Sequence, residues 1–113
     1  MLSANKVFET KKKKATTTNP YVVQKVMSAS PAQLISYVYD AGIKACALED
    51  RGKALKSIQV LIQSLNYDNK EIAVNFYNVY RYLNYSISNG NFVEAKEIME
   101  DLRSTWSQAM KVV

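Results

Sequence analysis

Histidine is absent from this chain, and cysteine occurs only once, as Cys46. With no second thiol and no imidazole, a disulfide framework, a Cys/His zinc site and His-based acid–base chemistry are all excluded. An unpaired cysteine also points to a reducing compartment. Glycine is scarce too: Gly42, Gly52 and Gly90 stand alone, so neither a phosphate-binding loop nor a dinucleotide fingerprint is present. No apolar run approaches the roughly 20 residues of a membrane span, and the first residues lack the apolar stretch of a secretory signal. These absences predict a cytoplasmic protein that needs no metal or cofactor and is not an enzyme. A chain of 113 residues suffices for one domain with its own core.

The net charge of +5 is unevenly placed. Residues 1–19 hold Lys6, Lys11, Lys12, Lys13 and Lys14 against Glu9 alone, which is +4 of that total. Such a polar, Thr-rich segment has too little apolar surface to offset the entropy of ordering, so a flexible basic N-terminal arm is expected over 1–19. The remainder, 20–113, is nearly neutral and shows no basic stripe that would continue a phosphate contact, so no specific nucleic acid is expected as a partner.

Helical signals fill that remainder. Ser30-Pro31-Ala32-Gln33 combines an N-cap serine, proline at the first helical position and a glutamine that completes a capping box. Leu34, Val38, Ala41, Ala45 and Leu48 then form one stripe of a helix over about 31–50. Leu55, Ile58, Leu61, Ile62 and Leu65 mark a second over about 52–66. Asp68 with Glu71 reads as the next cap, opening a helix over about 69–88 whose stripe is Ile72, Phe76, Val79, Leu83 and Ile87, closed by Gly90 as a left-handed residue. Asn91 with Glu94 repeats the cap. The last helix, about 92–112, carries Phe92, Ala95, Met99, Leu102, Trp106, Ala109 and Val113. Pro20, like Pro31, precedes helical territory. Short connections between amphipathic helices predict an all-α, antiparallel up-down four-helix bundle.

The acidic residues Glu94, Glu97, Glu100 and Asp101 read as a solvated face, and Cys46 as an inert core thiol. What exceeds the needs of one core is apolar and aromatic surface. Tyr77, Tyr80, Tyr82 and Tyr85 spread around the third helix outside its stripe, Ile43 lies opposite the stripe of the first helix, and Val60 opposite that of the second. Tyrosines of this kind either wedge between helices or face a partner, and periodicity alone gives the two readings equal standing.

Motif order narrows the choice. Asn19-Pro20-Tyr21, Val26-Met27-Ser28-Ala29-Ser30-Pro31-Ala32-Gln33-Leu34, Tyr39-Asp40, Gln59 with Leu61, Ile62 and Leu65, Glu71-Ile72-Ala73, Val79-Tyr80-Arg81-Tyr82 and Leu102-Arg103-Ser104-Thr105-Trp106 fall in sequence over 19–109. In that order and spacing the chain resembles FliS, the family of flagellin-specific export chaperones. It departs from the family pattern in a short connection over 66–70, in the lack of a second tyrosine after Tyr21, and in Ala41 where the family has glycine, with Gly42 one place later.

The resemblance implies a cytoplasmic export chaperone. Its client would be the C-terminal segment of flagellin, which is disordered in the monomer and helical in the filament. Wrapping that segment around the outside of a helical bundle would prevent premature polymerisation and keep the subunit competent for type III flagellar secretion, with the flagellar export gate at the membrane as a second partner. Tyr21 would belong to a movable cap that folds over the bundle when the client is absent. The expected partner-binding residues are Tyr21, Ile43, Val60, Tyr77 and Tyr80. Two other classes stand beside this one: a helical nucleic-acid-associated module acting through the lysine arm, and a homo-oligomer, in its simplest form a homodimer, that pairs Tyr-rich faces.

Overall fold

The computed structural model describes residues 19–111, all of whose regular structure is helical. The expected basic arm, apart from Asn19, and the expected stripe member Val113 lie outside the described residues. Five helices follow in order: α1 Pro20–Met27, α2 Pro31–Ala47, α3 Arg51–Gln63, α4 Lys70–Ser88 and α5 Phe92–Met110. The first was not among the four expected helices. It forms because Asn19 Oδ1 accepts the Tyr21 N–H at 2.9 Å and Pro20, at the first helical position, is already set for helical φ.

The other helices begin at side-chain caps, with one exception. At Ser30 both bonds of the capping box form: Gln33 N–H donates to Ser30 Oγ at 3.2 Å, and Ser30 N–H donates to Gln33 Oε1 at 2.9 Å. Asp50 caps α3 through the Lys53 N–H, and Asn69, one residue later than the expected Asp68, caps α4 through the Ile72 N–H. Asn91 makes no side-chain cap bond to α5. Glu94, expected to complete that cap, instead accepts hydrogen bonds on α4 from the Tyr82 hydroxyl at 3.0 Å and the Ser86 hydroxyl at 2.9 Å. Gly90 does end α4 with a positive φ of 79°, a conformation that favours glycine.

The longer helices share one core. Tyr39, Ala45 and Cys46 of α2, Ala54, Ile58 and Leu61 of α3, Tyr80, Leu83 and Ile87 of α4, and Ala95 and Met99 of α5 are all buried in it. Helix α2 packs along both α3 and α5, α3 along α4, and α4 along α5. Where α2, α3 and α5 meet lies Gly42, at which an added Cβ would come within 3.1 Å of Ser57 Cβ and would strike the thioether end of Met99. Two polar ties hold α5 to α2: Arg103 donates to both carboxylate oxygens of Asp40 at 2.7 and 3.3 Å, and the Trp106 indole N–H donates to the Ala32 carbonyl at 3.0 Å.

The face of α2 differs from expectation. Of the stripe Leu34, Val38, Ala41, Ala45 and Leu48, only Ala45 is fully buried, while Leu34 and Leu48 are 37% and 69% exposed. The buried side is Ser36, Tyr39, Gly42, Ala45 and Cys46. Small residues decide this, because Gly42 and Ser36 admit a close approach that a face headed by leucine would hold apart.

Candidate functional site

Rotating α2 this way turns Leu34, Val38 and Ala41 outward beside α3, and there they build an apolar groove. It has a volume of about 440 Å³ and is lined by Leu34, Tyr37, Val38 and Ala41 of α2, by Lys53, Lys56, Ser57 and Val60 of α3, and by Val26 of α1. Its floor is aliphatic, and among the described residues its only charged lining side chains are the two lysines on α3. At one mouth the Lys25 ammonium sits over the Tyr37 ring, 4.8 Å from its centroid, a cation–π contact that sets α1 beside the groove.

The five residues expected to contact a partner are dispersed. Val60 lines the groove and is 38% exposed. Tyr21 is fully outside it, projecting from α1 with 76% of its surface exposed. Ile43 is half-buried and packs against the core. Tyr77, also half-buried, lies on α4 with the Arg81 guanidinium 6.0 Å from its ring centroid. Tyr80 requires correction as a surface contact. It is only 4% exposed, and its hydroxyl meets that of Tyr39 at 2.7 Å inside the core. It joins the stripe of α4 because a partner hydroxyl at the right height on α2 satisfies the phenol, which otherwise would have to reach solvent.

Sequence reasoning placed Leu34, Val38 and Ala41 in the core and so missed them as groove residues, and it missed Tyr37, Lys53 and Lys56 altogether. The usable signal was the pair of small residues, Ser36 and Gly42, on the other side of α2. A second cleft of about 340 Å³ opens where Leu65, Ile72, Phe76, Tyr80, Trp106 and Met110 come together. Helix α1 itself has no buried residue and leaves Tyr21, Val22, Val23, Val26 and Met27 exposed. Among the described residues no helix is long and apolar enough to cross a membrane.

Comparison with models of known families, with curated proteins and with solved structures gives no match.

Proposed function

We propose that this chain is a cytoplasmic chaperone for flagellin export, built as an antiparallel up-down four-helix bundle with a basic N-terminal arm. Its work would be to hold the C-terminal segment of flagellin until the subunit reaches the flagellar export gate. The observation that carries this reading is the α2–α3 groove: an aliphatic channel bounded by two helices, of the kind that receives the apolar face of a third. A disordered client that orders only on docking gives up part of its interaction energy to ordering, which keeps the complex releasable, as export requires. Helix α1 suits the movable-cap role that the resemblance assigns to Tyr21, since it stands at the groove through Val26 yet buries none of its residues. Lifting it would sacrifice little packing.

The test is co-purification of flagellin with the wild-type chain and with a Leu34→Asp/Val60→Asp variant. Both positions are open to solvent, so helicity should match wild type by circular dichroism. Two apolar anchors at about 1.5–3 kcal/mol each would be lost, and flagellin recovery should fall by at least about tenfold. Absence of flagellin from the wild-type complex, or equal recovery by the variant, would sink the proposal.

A further inference from the structure

The charge of the groove restricts what fits it. Lys53 and Lys56 stand one turn apart on α3, and no carboxylate lines the channel among the described residues. Lys53 meets Asp50 only at 4.0 Å, with a side chain 83% exposed, so it is free to pair elsewhere. Lys56 makes no ion pair among the described residues, and Lys25 adds a third positive charge at the mouth beside Tyr37. An aliphatic floor with a cationic border is complementary to an apolar stripe with an anionic border.

We infer that the groove takes an amphipathic helix whose apolar stripe is flanked by Asp or Glu side chains, with Lys53 and Lys56 pairing with that acidic flank. This rests on the groove being the docking site named above and adds the chemical class of its occupant. Two nearer occupants fit less well. Residues 1–18 of this chain carry five lysines against one glutamate, a like charge to the border. The helix of a second copy richest in acids is α5, and there the exposed Glu94, Glu97, Glu100 and Asp101 accompany Val93 rather than an apolar stripe. Rim charges of this kind set register and encounter rate, while the aliphatic floor supplies most of the adhesion.

Two fluorescein-labelled helical peptides of about 18 residues, five turns, make the test. They share one leucine stripe at i, i+3, i+4 and i+7, flanked by glutamate in one and by lysine in the other. Titrated with the full chain at low salt, the glutamate peptide should bind about five-fold more tightly, the effect of two exposed ion pairs. The difference should close near 1 M salt, where screening reaches about 3 Å. A Lys53→Glu/Lys56→Glu variant, altered only at exposed or rim positions, should reverse the ranking, and Val60→Asp should weaken both peptides. Equal affinities, an unchanged ranking in the charge-reversed chain, or binding insensitive to Val60→Asp overturns the inference. Self-association competing with the peptide and lost in Val60→Asp overturns it too, because a second copy then fills the groove. If flagellin fails to co-purify while the peptide ranking holds, the chaperone proposal falls and this inference stands. If flagellin docks at the groove without any charge preference, this inference falls alone.

Discussion

Tyr39 and Tyr80 meet in the core across 41 positions of sequence, and each phenol satisfies the other's hydroxyl at 2.7 Å. Removing one hydroxyl leaves the other buried without a partner, so Tyr39→Phe or Tyr80→Phe alone should cost about 1–3 kcal/mol. The double phenylalanine variant leaves no orphan, and its cost should be well below the sum of the singles in urea denaturation. Strict additivity would mean that the two hydroxyls act independently. The pair also gives an alkaline signature. Burial pushes both phenols above the ordinary value of 10.0. The unfolded chain loses these protons near that ordinary value while the native pair retains them. Stability from the pair is therefore complete below about pH 10 and declines as pH rises towards the folded values. Urea midpoints measured at rising pH should drop for wild type and drop less for the double variant. A pairing so distant in sequence leaves no periodic trace, which is why Tyr80 read as surplus surface: its partner on α2 was not in the expected stripe either.

Helix starts were legible because a cap is written in three or four adjacent residues. Ser30 through Gln33 specify a capping box, and the structure contains both of its bonds. The sequence pattern at Asn91 and Glu94 is similar, yet Glu94 is drawn to Tyr82 and Ser86 on α4 and Asn91 makes no cap bond. A tertiary partner therefore outcompetes a local one, and local patterns cannot reveal that. The difference is measurable: Ser30→Ala should lower stability by about 1 kcal/mol, whereas Asn91→Ala should change it by no more than about 0.5 kcal/mol. Equal losses would mean that Asn91 caps α5 in solution. Faces were less legible than starts. Helix α2 is apolar nearly all round, with Leu34, Ile35, Tyr37, Val38, Tyr39, Ala41 and Ile43 in its first thirteen positions, so more than one stripe satisfies the helical period. Close packing at Gly42 breaks the tie, and that is a property of the neighbouring helices. The same ambiguity hid the groove, since its α2 wall is the stripe assigned to the core. Helix α1 escaped notice because eight residues are too few to mark themselves by periodicity, although its Asn-Pro start was visible.

At the scale of the whole molecule, Cys46 reports whether these elements move together. It lies on α2 at 2% exposure, where burial raises its thiol pKa and the nearby Lys96 ammonium offsets only part of that rise. A thiol held protonated and enclosed reacts only when the core opens. Because α2 packs on both α3 and α5, exposing Cys46 requires separating most of the core, so its labelling rate with an aromatic disulfide reagent should follow global unfolding. Ser30→Ala, at about 1 kcal/mol, should then speed labelling about five-fold. Removing residues 1–27 takes away α1, which contributes no buried residue, and should leave the rate within about two-fold of wild type. A large acceleration on that truncation would show that α1 is part of the stability of the core. It would then be too firmly held to serve as a movable cap over the groove, and client binding would have to proceed with α1 in place.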